Sequence, residues 1–201
     1  MFNLPNNCLV NKIIPKKIFY DKTSMSLNLK REFIDLIDKI IWMYKISPET
    51  YQIHKTDKIE ELQIFEIILK KREKPKKVIS LISKLIPYPI LFIIKYQNDF
   101  CYSIKVQEIY YSDWNEYIDF NFMFSNLELL YEDIVKKIIK EDNNTKPFQD
   151  IIDLNSRKRE LEYQIVQTQA KMNSEKQFNR KVEYNKELRK LLGEREKIKN
   201  E

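Results

Sequence analysis

Glycine is almost missing from this chain: Gly193 is the only one among 201 residues. Walker-type phosphate loops and dinucleotide-binding fingerprints need several glycines, because the backbone must approach a phosphate closely. Nucleotide chemistry of those two kinds is excluded. Histidine is equally scarce, with His54 alone in YQIHKTD. It has the chemistry of a metal ligand or general base, but a loop or strand-end histidine accounts for it more simply. Ser/His/Asp hydrolysis would have to recruit this one residue, and no nucleophile elbow accompanies it. Cysteine is limited to Cys8 and Cys101, which lie far apart and lack further ligands. They make neither a zinc signature nor a disulfide framework, which suits a reducing compartment. Cys101, in DFCYSIK, reads as a small core residue. No metal and no cofactor is expected. The longest apolar run, IPYPILFII, is far shorter than the roughly 20 residues of a membrane span. The opening MFNLPNNCLVNK lacks the apolar stretch of a secretory signal. These absences predict a soluble, cytoplasmic protein without membrane association.

What is present is apolar bulk and charge. Hydrophobic residues make up 43% of the chain, enough for a core without disulfides or metal. The net charge is +6 and the pI is near 9.0, which leans towards polyanionic partners such as DNA or RNA. Lys, Ile and Asn are used heavily throughout, as AT-rich coding sequence dictates, so charge alone does not establish nucleic-acid contact.

Along the chain, residues 1–24 read as an extended arm. Pro5 and Pro15 oppose helix, and Ile13, Ile14, Ile18 and Phe19 lay the arm across a core. Residues 28–43 read as an amphipathic helix, with Phe33, Ile34, Ile37, Ile40 and Ile41 on one side. Lys30, Arg31, Asp35, Asp38 and Lys39 stand opposite, and the chain then turns at Ser47-Pro48. ELQIFEIILK is apolar on both parities, Ile64 and Ile68 against Phe65, Ile67 and Leu69, as a central strand covered on both faces would be. KKREK turns the chain and Pro75 suits a helix first turn. KKVISLISKLI follows as a helix that Pro87 and Pro89 stop. PILFIIKY is a second buried strand and FCYSIKVQEIYY a returning third. Residues 126–141 form another amphipathic helix, with Asn126 placed to cap it. EDNNTKP then marks a linker.

Beyond it, residues 148–201 carry 13 basic and 10 acidic residues, a balance that argues against a polybasic nucleic-acid tail. Ile151, Leu154, Leu161, Ile165, Met172, Val182, Leu188, Leu191 and Ile198 form a sparse apolar stripe, interrupted at Lys158, Thr168, Glu175 and Asn179. That spacing predicts a long helix or a two-helix hairpin rather than a perfect zipper. The stripe needs a partner surface and is the candidate docking face. The fold class expected is α/β (α+β): a small mixed sheet flanked by helices in residues 1–141, a linker at 142–147, and a coiled-coil-like helical segment at 148–201.

Several motifs follow one another along the chain: MFNLP; Asn11, Lys12, Ile14, Pro15, Lys16, Phe19 and Tyr20; then ISPET, QIFEIILK, IPYPILF and KQFNRKVEYNKELRKL. In this the chain resembles the prokaryotic family catalogued as domain of unknown function four-three-nine-one, over nearly its whole length. The resemblance implies genes that neighbour DNA methyltransferase and helicase genes, as in restriction-like antiviral defence clusters. It brings no activity and no catalytic residues.

Two stretches bear on chemistry. A restriction-type nuclease needs an acid on one strand and an acid-x-lysine triplet on the next, so that carboxylates hold Mg²⁺ and the lysine meets the phosphate. LQIFEIILK offers Glu66 and Lys70 on one face of a strand, but Ile68 stands where the triplet needs its acid, and Glu49 and Asp57 are unanchored as first acid. Glu66 pairing with Lys70 or a neighbour at the sheet edge is the simpler reading. The aromatic stretch 108–124 could stack bases, yet Glu108, Asp113, Glu116 and Asp119 within it would repel phosphate. The run Lys70, Lys71, Arg72, Lys74, Lys76, Lys77 lies at a helix N-terminus, which favours anions. It reads first as a solvated turn and second as a phosphate contact.

The leading expectation is a non-catalytic accessory or interaction subunit of a DNA-directed restriction-like or phage-defence system. Its C-terminal helices would dock a methyltransferase or helicase subunit, or a second copy. A divergent metal-dependent nuclease and a stand-alone nucleic-acid-binding module are the alternatives.

Overall fold

The computed structural model describes residues 2–21, 25–141 and 146–199. Most of the expected linker, residues 142–145, lies outside the described residues. The chain divides into two compact units, Met1–Asp142 and Asn143–Glu201.

The first unit holds a six-stranded mixed sheet in the order β1-β2-β3-β4-β5-β6. The strands are β1 (Leu9–Ile13), β2 (Ile37–Ile46), β3 (Leu62–Leu69), β4 (Ile90–Tyr96), β5 (Asp99–Lys105) and β6 (Ile109–Tyr111). Neighbours are antiparallel except β3 and β4, which run parallel. Parallel neighbours need a crossover, and the helix α3 (Lys76–Leu85) supplies it. Two short helices precede β2: α1 (Lys16–Asp21) and α2 (Leu27–Asp35), with α4 (Leu127–Ile139) after β6. Ser26 caps α2 by accepting from the Leu29 amide at 3.3 Å, and Asn126 caps α4 by accepting from the Leu129 amide at 2.9 Å.

The N-terminal arm is not simply extended. β1 pairs with β2 and a helix follows Pro15. Residues 28–43 are not one helix either: the helix ends at Asp35 and Ile37 opens a ten-residue strand. Bulges explain the misleading period. The register passes from Ile37↔Leu69 to Lys39↔Ile68 and Ile40↔Ile67, so one extra residue at Asp38 brings Ile37 and Ile40 to the same buried face. Three-residue spacing then imitates a helix. A second irregularity lies between Trp42 and Tyr44. It leaves Trp42 against Phe65 while Tyr44 stands opposite Ile64, on the other face. FCYSIKVQEIYY is two strands, joined where the Val106 amide bonds the Glu108 carbonyl at 2.9 Å.

β3 is buried along its length, half-buried only at Ile68. One face of the sheet packs Phe65, Ile67, Phe92, Ile94 and Cys101 against Phe33 of α2 and Val78, Ile79 and Ile82 of α3. The buried side of α4 (Leu130, Ile134, Val135, Ile138) lies outside that cluster, and the helix packs on β5 and β6. Both cysteines are free and buried, and burial pushes the Cys101 thiol up to about 11. Positive φ is adopted without glycine, at Asn11 inside β1 and at the bends of Gln97, Asn115 and Lys140.

The second unit is a hairpin of α5 (Phe148–Ser174) and α6 (Phe178–Lys199). Glu175 sits between them, and its carboxylate accepts from the Lys176 and Gln177 amides at 2.8 and 2.9 Å. Such bonds satisfy amides that open a helix without internal partners. The seam is Leu161, Ile165, Leu188, Leu191 and Ile198, with Leu154 and Met172 packed beside it. Thr168, read from sequence as a gap in the stripe, is buried.

Candidate functional site

Glu66 and Lys70 do not meet. Glu66 bonds Lys95 Nζ at 2.5 Å, while Lys70 Nζ donates to the Ile34 carbonyl at 2.7 Å. Lys16 reaches the same helix end, at 2.5 Å from the Ile37 carbonyl and 3.3 Å from that of Phe33. Both lysines therefore serve the C-terminal carbonyls of α2, where positive charge is favoured. Burial, with Lys70 nearby, lowers the Lys16 ammonium below its ordinary pKa.

Most of the basic run is similarly engaged. Arg72 pairs with Asp99 at 2.6 Å and stacks over Trp114 at 4.9 Å. Lys74 donates to the Ser112 carbonyl at 3.0 Å and lies 5.0 Å from the Tyr111 ring centroid. At the N-terminus of α3 the amides of Lys77 and Val78 already have an anion: Glu32 Oε1, at 3.1 and 3.4 Å. A phosphate there would have to displace Glu32. Lys71 and Lys76 are exposed.

The docking stripe folds onto itself. Leu161, Ile165, Leu188 and Leu191 are buried in the hairpin seam, Leu154 and Met172 flank it, and Val182 is exposed. His54 lies in a loop bridged to the start of α4: its amide donates to the Ser125 carbonyl at 3.1 Å and its carbonyl accepts from Leu127 at 2.9 Å.

Two concave sites escaped sequence reasoning. The first is a polar recess of about 320 Å³ where β2 ends and β3 begins. Lys45 Nζ stands 3.3 Å from Glu49 and 3.2 Å from Glu61, and the Glu61 carboxylate holds it above its ordinary pKa. Gln63 Nε2 also donates to Glu61. The signal lay in ISPET and in Glu61-Leu62-Gln63, which antiparallel pairing of Ile46 with Leu62 brings to one sheet end. The second is a cavity of about 420 Å³ lined by Phe2, Tyr44, Phe100, Tyr102 and Tyr117, with Glu66 and Lys95. Its residues come from β2, β3, β4, β5, the N-terminal arm and the loop after β6, and no local motif announces it. No group of three or more metal-ligating side chains occurs among the described residues. No helix among them is long and apolar enough to cross a membrane.

Fold and recesses together define an α+β protein: a mixed sheet with helices, followed by a helical hairpin. The chain belongs to the family described as Domain of unknown function (DUF4391), which it matches over residues 2–194. Comparison with curated proteins and with solved structures returns no match.

Proposed function

We propose that this chain is an interaction subunit of a DNA-directed, restriction-like defence assembly, docking through its C-terminal hairpin onto a methyltransferase or helicase subunit. The observation that carries this reading is the hairpin's outer surface. Its seam is filled by its own leucines and isoleucines, yet Tyr163, Val166 and Phe178 remain exposed at 62%, 61% and 77%. Large exposed apolar side chains on a helix suit a partner surface. The near-balance of charge in this segment favours protein over nucleic acid as that partner. The experiment is affinity capture of the full chain from its native host, beside a Val166→Asp/Phe178→Asp variant. Wild type should retain a methyltransferase or helicase subunit and the variant should lose it while keeping its helicity. Retention of the same partner by the variant overturns the docking surface.

One observation favours a second reading, a metal-dependent nuclease centred away from Glu66 and Lys70. Pro48-Glu49 and Glu61-Leu62-Gln63 converge on Lys45, whose single positive charge leaves the two carboxylates a net negative charge with which to attract a divalent ion. Mg²⁺-dependent cleavage of DNA by the purified chain, abolished by Glu61→Gln, would establish it. No cleavage with Mg²⁺ or Mn²⁺ would remove it.

A further inference from the structure

We propose that the aromatic cavity on the sheet unit binds one unpaired nucleobase that carries an exocyclic amino group. The walls suit a planar ring. Phe2, Tyr44, Phe100, Tyr102 and Tyr117 line it, and Tyr117, at 78% exposure, leaves its face open to solvent. The inner rings brace one another edge to face: Phe100 lies 5.7 Å from Tyr102, and Phe2 lies 6.2 Å from Tyr44. Aromatic side chains take up bases by stacking, whatever the base. At about 420 Å³ the space is in the range that holds a small ligand.

The polar pair chooses among ligands. Glu66 is buried, and its Oε2 is held by Lys95 Nζ at 2.5 Å. Lys95 engages Oε2, which leaves Oε1 for a ligand. An aromatic wall with a carboxylate would ordinarily suit a cation. Here Lys95 already supplies the positive charge, so a second cation would meet repulsion. A neutral planar donor fits the remaining oxygen. Cytosine and adenine present an exocyclic amino group to a carboxylate, whereas the one donor of an unpaired thymine, N3–H, is flanked by two carbonyls that repel it. The Lys95 side chain, half exposed, is placed to approach the backbone phosphate. A base reaches such a pocket only from single-stranded nucleic acid or by leaving a duplex stack. This site is independent of the hairpin and stands whether or not the docking proposal does.

The test is fluorescence anisotropy of the full chain with labelled oligo(dC), oligo(dA), oligo(dT) and an abasic oligomer at low salt. Oligo(dC) and oligo(dA) should bind about tenfold or more tighter than oligo(dT) and the abasic strand. Glu66→Gln should erase that preference and Tyr117→Ala should weaken all base-bearing strands several-fold, with unchanged thermal unfolding in both. Competition by dCMP as strong as by oligo(dC) would assign the pocket to free nucleotides; competition by the strand alone would assign it to single-stranded DNA. Equal affinity for all four oligomers, no binding by any, or a preference unmoved in a folded Glu66→Gln protein would overturn the proposal.

Discussion

In the sheet unit, Phe33, Ile37, Ile40, Phe92 and Ile94 are sealed completely from solvent by residues remote in sequence. The hairpin seam is thinner: its buried residues all keep between 3% and 9% exposure, and they come from only two helices. Several layers with both sheet faces covered make a core in which a lost side chain leaves a void. A two-helix seam can relax towards solvent when a side chain is cut away. The sheet unit is thus held by interdigitation, and the hairpin by one seam and the bonds at its turn.

The largest loss is expected at Phe92, which is fully buried and packs edge to face on Phe65 at 6.2 Å. Phe92→Ala should cost about 3–5 kcal/mol, read by denaturant unfolding followed in the near-ultraviolet. A cost near 1 kcal/mol would mean the core is looser than its burial implies. Leu161→Ala in the hairpin should cost about 2 kcal/mol, at the low end for a buried leucine, and lower helicity without changing the aromatic signal of the sheet unit. Loss of both signals together would show that the two units unfold as one.

Gly193 sharpens the comparison from the stabilising side. It sits in α6, exposed, and a Cβ there would meet nothing within 4 Å. Gly193→Ala should raise hairpin stability by about 1 kcal/mol, seen as a later loss of helicity on heating. The smallest effect concerns acid. Bonds from the Gln177 and Lys176 amides hold the Glu175 carboxyl below its ordinary value of 4.5. A depressed folded pKa gives stability that is present above that value and fades as pH falls through the folded one. Hairpin helicity should therefore weaken slightly below about pH 4.5, more in wild type than in Glu175→Gln. Parallel acid profiles would show that the turn does not need this carboxylate.

Much of this was legible in the sequence, where the signals were local. β3 and β4 announce themselves by runs apolar on both parities. α3 and α4 declare their period and starts, and the gap at Glu175 marks the break between α5 and α6. The misread elements depend on pairing. The bulge at Asp38 gave a strand the period of a helix. Sequence offers Glu66 either Lys70 on its own strand or a neighbour at the sheet edge; parallel pairing sets it beside Ile93, and the partner is Lys95, two residues on and on the same face. Glu32 of α2 lies 45 residues from Lys77, whose amide it bonds at the start of α3, and no local pattern reveals that an anion site is already filled. The aromatic cavity was hidden for the same reason, since Tyr44 reaches that face only through the second irregularity in β2.

The turns made without glycine have a further consequence. Asn11, Gln97, Asn115 and Lys140 hold φ at 47°, 50°, 62° and 61°, a region that costs an ordinary L-residue such as Gln97 or Lys140 roughly 1–2 kcal/mol and an asparagine less. Against this, a chain without glycine at its bends has fewer conformations to surrender when it folds. The Lys140 bend is also fastened, its ammonium reaching Asp113 at 2.7 Å and Glu116 at 3.0 Å. That corner resembles a sprung joint: it holds because side chains clamp it, so the shape of the bend is coupled to the charge on its clamp.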